Sequence, residues 1–290
     1  MEIYELMIPN RWPAPAKINL FLHVIGRRSD GYHLLQTHFQ FLDYGDYLGF
    51  NITHDGRVTR ANDLADIPVD KDLIVRAARL LQPFAKGNVG VSIFVDKLLP
   101  AGGGLGGGSS DAATTLVALN ELWETGLTQD ELAEIGLQLG ADIPVFVHGH
   151  AAWAEGVGER LIPLNAPEGP VLVVYAGELV STSEVFSHPE LTRDTPAIKI
   201  HDLASVTLVN DCEDVTRRIY PEVGKVLDWL GQHADARMSG TGACIFAAFE
   251  SISQALSVVE RMPEPWAWFV AERCNISPLI EKLRKIQNRN

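Results

Sequence analysis

The sequence predicts an α+β fold in two parts. Three observations carry this. Apolar and polar residues alternate near the start and again over Val89 to Val95. A run of glycines separates that second stretch from a helical pattern. The second half mixes strands and helices without a regular βαβα order. A boundary near residue 160 divides a first domain, 1–160, from a second, 161–290; the 290-residue length suits one large domain or two modest ones.

The elements follow in order. From Lys17 to Ile25 the pattern is a strand: Ile18, Leu20, Leu22 and Val24 share one face, and Lys17, Asn19, Phe21 and His23 share the other. Asp30-Gly31-Tyr32 reads as a turn, with mostly extended chain from there toward Ile52. Residues 54–71, rich in Asp, Gly, Asn and Pro, read as an irregular connection. Leu73, Ala77, Leu80, Leu81 and Phe84 have helical spacing. Val89, Val91, Ile93 and Val95 form a strand, and after the glycines a helix runs over Ala112 to Trp123, with Ser109, Ser110 and Asp111 as N-cap types. Thr128 and Glu131 make a capping box for a helix ending near Leu139, stopped by Gly140; Asp142 lies just past that end, before Pro144 and an apolar stretch. The second half contains a buried strand Val171 to Tyr175, a helix from Pro221 toward Trp229, and a glycine turn at Met238 to Gly242. Beyond these come a strand Ala243 to Phe249, a helix Ser253 to Met262, and a strand Trp266 to Ala271.

Composition narrows the function. The chain is 46% hydrophobic and 21% charged, an ordinary globular balance. A net charge of −13 argues against a general nucleic-acid or anionic-membrane surface, but not against a locally positive nucleotide pocket. Cys212, Cys244 and Cys274 are widely spaced and read as small buried residues in a reducing compartment. Met1 to Pro9 has no signal-peptide pattern, and no apolar run approaches the ~20 residues of a membrane span; the cytoplasm is the expected location.

The run Pro100 to Ser110 carries the chemistry. Within Ala101 to Ser110, six glycines and an alanine supply backbone donors with almost no side chain. Glycines allow close approach to a phosphate, and the following helix N-terminus adds unpaired N–H groups and a positive dipole end. Together these make an anion site. The bland alternative is a flexible surface loop, but such loops do not usually sit directly between a strand and an amphipathic helix. There is no G-x4-G-K-[ST], so this is not a Walker loop. Gly102, Gly104 and Gly107 satisfy G-x-G-x-x-G, but the acidic residues about 20 positions on, Glu121 and Glu124, fall in or at the end of the helix, which disfavours a dinucleotide fold. Protein kinase motifs are absent.

Three segments, PAPAKINLFLHV, LPAGGGLGGGSSDAA and MSGTGACIFA, resemble the three motifs of the GHMP kinases. RRSDGYHLLQTHFQFLDYGD, LGADIPVFVHGHAAWAEGVGE and NDCE resemble the branch of that family acting on a cytidine diphosphate-linked methylerythritol in non-mevalonate isoprenoid precursor biosynthesis. The resemblance spans about Trp12 to Pro278. It implies a two-domain α+β GHMP kinase fold with the active site in the cleft between the domains. It also implies transfer of the ATP γ-phosphate to the substrate's 2-hydroxyl, with Mg²⁺ as the metal. On this resemblance the catalytic residues are Lys17 and Asp142. ATP lies against Pro100, Ala101, Gly102, Gly103, Gly104, Leu105, Gly106, Gly107, Gly108, Ser109 and Ser110. Asn19, Tyr32 and His33 bind the cytidine substrate, and Phe186 supplies a second aromatic that sandwiches the cytosine with Tyr32. Two positions depart from the pattern. Asp72 stands where relatives often have asparagine near the adenine. Asp111 adds negative charge at the helix N-terminus and is expected to point away from the phosphates.

The expected chemistry is coherent. Phosphoryl transfer needs a phosphate cradle, a cation and a carboxylate near the hydroxyl more than a strong base. The loop, Lys17 and Asp142 fit those parts, although each residue alone could be an edge lysine or a turn aspartate. His148 and His150 would share one face of a strand, but with no third ligand they read as structural. The Gly240-Thr241-Gly242 turn reads as a tight turn near the substrate phosphates or as packing. The rival readings are another GHMP kinase with a different alcohol, a nucleotide-binding regulator without turnover, and an NAD-dependent oxidoreductase. Monomer and weak homodimer both fit.

Overall fold

The computed structural model describes residues 11–62, 68–203, 205–264 and 266–288. The reading of Met1 to Pro9, and the centre of the connection at 54–71, lie outside them.

The fold is α+β, built on one ten-stranded sheet. Its strands are β1 (Trp12–Arg27), β2 (His33–Thr53), β3 (Val58–Arg60), β4 (Gly90–Asp96), β5 (Ala152–Gly156), β6 (Arg160–Pro163), β7 (Gly169–Tyr175), β8 (Arg237–Met238), β9 (Cys244–Ala248) and β10 (Ala267–Cys274). The order β3-β4-β2-β10-β7-β9-β8 joins the two halves through β2 and β10; β1 and β5 also pair with β2, and β6 with β5. The helices are α1 (Leu73–Leu81), α2 (Gly107–Leu122), α3 (Gln129–Leu137), α4 (Ile143–His148), α5 (Thr182–Ser187), α6 (Glu213–Ile219), α7 (Pro221–Leu230), α8 (Ile252–Val259) and α9 (Pro278–Gln287).

β1 is longer than the alternation suggested, because nearly all of it is buried on both faces and the polar–apolar rhythm fades outside Lys17 to Ile25. Its register against β2 shifts between Pro15 and Lys17 and again between Asn19 and Leu22, so irregularities flank the Lys17–Asn19 segment on both sides.

α2 starts at Gly107, five residues before the expected start. Gly106 is its N-cap, with φ 73°, so Ser109, Ser110 and Asp111 lie inside the helix and cap nothing. Glycines disfavour helix locally, but every residue from Ser110 to Leu119 is buried, and that packing overrides the local preference. The capping box is present as expected: Glu131 N–H donates to Thr128 Oγ1 (3.3 Å), and Thr128 N–H donates to Glu131 Oε2 (2.8 Å). The apolar stretch after Asp142 is helix α4. His148 therefore ends a helix instead of sharing a strand face with His150, and the two rings have different neighbours, Asp130 and Arg284.

Three cores hold the molecule. The first packs Trp12, Phe41, Phe50 and Ile93 of the sheet against α1 to α4, and it includes Leu279 of α9. The second packs Leu22, Val24, Leu172 and Ile245 against helices of the second half, through residues such as Val185, Val215 and Val226. The third lies between them and contains Ile18, Leu42, Val171, Phe246 and Leu105. β1 thus contributes to all three. No helix among the described residues is long and apolar enough to cross a membrane.

Candidate active site

The glycine loop is a docked structure. Gly102, Gly104 and Gly106 all have positive φ (66°, 74° and 73°), which only glycine adopts without strain. Its carbonyls are tied inward. Gly102 O and Gly103 O accept from Ala243 N–H and Cys244 N–H, and Leu105 O accepts from Lys17 N–H, all at 3.0 Å. The Leu105 side chain plugs the third core at 1% exposure. A Cβ on Gly104 would lie 2.0 Å from Ser239 O, so the second glycine turn packs directly on the first loop. Asn210 clamps that turn by donating to Met238 O (2.9 Å) and Gly240 O (2.8 Å).

The loop borders a cavity of about 1320 Å³. Pro100 through Ser109 line it, as do Lys17, Asn19, Tyr32, His33, Asp142 and Phe186. Ser110 does not. Its hydroxyl donates to Pro15 O (2.7 Å) and it is fully buried against β1. The periodicity of α2 sets this difference, turning Ser109 to the cavity and Ser110 to the sheet.

Lys17 is buried on β1 with its ammonium at the loop. Nζ donates to Asn19 Oδ1 (2.7 Å) and Gly104 O (3.0 Å) and sits 3.5 Å from Asp142 Oδ2. Asp142 occupies the N-cap position of α4, but its side chain makes no capping bond, which leaves the carboxylate free to face Lys17. Asn19 donates to Thr37 Oγ1 (2.9 Å), and its backbone N–H donates to Ser239 Oγ (3.3 Å). Residues far apart in sequence thus fix both the cation and the amide.

At the other end of the cavity, the Asp30–Tyr32 turn holds its expected form: Asp30 Oδ1 accepts from Tyr32 N–H (3.2 Å). The Tyr32 side chain is 63% exposed at the rim and contacts no aromatic ring among the described residues. The Phe186 ring lies against His33, with centroids 5.0 Å apart. Burial, then the charges of Arg193 and Arg27, hold the His33 pKa below its ordinary value.

The two departures resolve structurally. Asp72 caps α1 by accepting from Ile74 N–H (2.9 Å) and pairs with Arg60 (2.6 Å), so both carboxylate oxygens are engaged within the protein. Asp111 does not point away: it lies on the cavity wall, buried, 2.8 Å from Lys97 Nζ. The same ammonium pairs with buried Asp46, which also accepts from Leu98 and Leu99 N–H (2.6 and 2.7 Å). One cation thus serves two acids. Asp111 is the worse provided, since its Oδ1 is buried without a partner among the described residues, and burial pushes its pKa up to about 7 despite Lys97. Burial alone would lower Lys97, but the two carboxylates outweigh it and raise its pKa.

Sequence reasoning missed Lys97, Asp46, Thr37, Ser239 and Arg193. Lys97 immediately precedes the LLP of the loop motif, and Thr37, Asp46 and Ser239 fall inside the quoted motif segments without standing out there. Arg193, in the segment after α5, comes to the site through tertiary contact alone.

Comparisons with known proteins assign the family and the fold. The sequence pattern described as GHMP kinases N terminal domain matches residues 72–150, and GHMP kinases C terminal matches 195–267. The 4-diphosphocytidyl-2-C-methyl-D-erythritol kinase of Nitrosococcus oceani is 57% identical over 274 residues, 94% of this chain and 98% of that protein. The kinase of the same name from Halorhodospira halophila is also 57% identical, covering 92% of this chain and 94% of its own. A crystal structure of 4-(cytidine 5'-diphospho)-2C-methyl-D-erythritol kinase superposes with a TM-score of 0.78 at 33% identity, covering 91% of this chain and 98% of that one. A mevalonate kinase structure at 14% identity (TM-score 0.67) shares the fold, covering 91% of this chain and 99% of its own. The chain therefore belongs to the 4-diphosphocytidyl-2-C-methyl-D-erythritol kinases of the GHMP kinase superfamily.

Proposed function

We infer that this enzyme transfers the γ-phosphate of ATP to the 2-hydroxyl of 4-diphosphocytidyl-2-C-methyl-D-erythritol. The observation that carries the residue-level reading is the meeting of Lys17 and Asp142, 3.5 Å apart, beside a loop whose carbonyls are tied inward. The backbone donors of Ala101 to Ser109 cradle the phosphates. The Lys17 ammonium neutralises charge that develops during transfer. Asp142 orients the attacking hydroxyl and accepts its proton late. Tyr32, His33, Phe186 and Asn19 receive the cytidine substrate, with Tyr32 free to stack on the base.

Mg²⁺ fits this wall as an ion carried by ATP. No group of three or more His, Cys, Asp or Glu side chains among the described residues could hold a metal alone. A Mg²⁺ ion held mainly by phosphates and water needs only one or two protein oxygens, and the Ser109 hydroxyl on the cavity wall would supply one. It would contribute charge neutralisation on the phosphates. The division near residue 160 belongs to the same reading, supported by family matches on either side of it. So do cytoplasmic location and a monomer or weak homodimer with no nucleic-acid partner. The reading of the location rests on three free thiols, two of them buried.

The test is ADP release from Mg-ATP with and without the cytidine substrate. Substrate-dependent release is expected. Release only with a different small alcohol would keep the kinase and discard the substrate. Silence with every alcohol despite ATP binding would favour a regulator.

A further inference from the structure

Arg193 lies outside the cavity wall, in the segment after α5, yet among the described residues its side chain bonds two residues of the wall and two just past α5. Its Nη2 donates to Phe186 O (2.9 Å) and His188 O (2.7 Å), and its Nη1 donates to Leu191 O (3.0 Å). These bonds fasten the end of α5, where Phe186 sits. Its Nε donates to His33 Nε2 at 3.0 Å, across 160 residues of sequence.

That last bond determines more than position. A guanidinium stays charged at any working pH and can only donate. His33 Nε2 must therefore present a lone pair, so a neutral His33 ring carries its proton on Nδ1. The ring has no other hydrogen bond among the described residues, and it borders the cavity. Its face rests on Phe186, which the same arginine holds.

We propose that Arg193 is a positioning residue: it locks His33 in the Nδ1–H tautomer, so that His33 offers a hydrogen-bond donor to the cytidine substrate while Phe186 is held against the ring. This rests on the reading of His33 and Phe186 as substrate-binding residues. With the other tautomer, the ring would present a lone pair to the cavity and fail to donate to an acceptor on the base. Fixing the tautomer before binding removes one state the ring would otherwise have to leave.

The test begins without substrate. Long-range ¹H–¹⁵N spectra of the full-length protein, labelled at histidine and assigned with His33→Asn, should show the unprotonated nitrogen of His33 at Nε2 near neutral pH. A proton on Nε2 would overturn the proposal, whatever the enzyme phosphorylates. Arg193→Met then removes the donors at similar length. Its His33 signals should become those of mixed tautomers, and KM for the cytidine substrate should rise about five- to tenfold, the loss expected for one hydrogen bond. Its kcat and KM for ATP should stay within about twofold of the parent. An unchanged KM for the cytidine substrate, or kcat and both KM values worsening together, would defeat the positioning role. If the parent enzyme does not turn over the cytidine substrate, the functional reading fails instead, and the tautomer result stands apart from it.

Discussion

Gly104→Ala should be among the most damaging single changes in the phosphate loop. Two separate costs add at this position. The residue has φ 74°, where an added Cβ costs roughly 1–2 kcal/mol. The Cβ would also stand 2.0 Å from Ser239 O and 3.0 Å from Gly242 O, so the two glycine turns must separate by about 1 Å or more. Such forced repacking typically costs about 1–3 kcal/mol. Gly126 supplies the control: it has the same φ of 74°, but no atom lies within 4 Å of its ideal Cβ. Gly126→Ala should therefore show the dihedral cost alone. Urea unfolding of both variants should separate them by about 1–3 kcal/mol, with KM for ATP raised only in Gly104→Ala. Equal stability within about 0.5 kcal/mol would refute the docked loop and restore the flexible-loop reading.

The other predictions concern single side chains. Asp142→Asn should lower kcat about 10²- to 10⁴-fold while ATP binding, measured by calorimetry, stays close to the parent; near-normal turnover would remove Asp142 from the proton path. Tyr32→Ala should weaken binding of the cytidine substrate by about 1–3 kcal/mol with little change in ATP affinity, and an unaltered KM would end the stacking assignment. Asp111 predicts a pH effect on stability. Its pKa is raised to about 7 by burial, so between about pH 4 and 7 the folded chain keeps a proton that the unfolded chain releases. Stability therefore falls as pH rises through that window, and Asp111→Asn should flatten the slope in melting temperature from pH 5 to 8; parallel slopes would mean the Lys97 ammonium already satisfies both acids.

The parts of the site that sequence revealed are those built from neighbours in the chain. The glycine loop and its attachment to a helix were legible because close backbone approach leaves a compositional trace. The Lys17 and Asn19 pair was legible because strand alternation is local. The start of α2 was misplaced because its glycines argue against helix until the burial of Ser110 to Leu119 is known. The direction of Asp111 was misjudged because the ammonium that holds it belongs to Lys97, beyond the loop, and is shared with Asp46, 51 residues from that lysine. Arg193 left no signal: an arginine in a polar segment looks solvated until the folded chain brings His33, 160 residues away, beside it. Single-strand patterns also could not show that α9 returns to the first core, since that depends on which sheet face remains uncovered.

The placement of Lys17 and Asn19 on one strand has a further consequence. Successive same-side positions on a strand are about 6.6 Å apart, a spacing fixed by covalent geometry. If Lys17 serves the phosphate and Asn19 the acceptor, the span between donor and acceptor is measured along a single piece of backbone. Small relative tilts of the two halves need not alter it. The weak point shifts from hinge to register: deleting Ile18 would turn one of the two side chains out of the cleft.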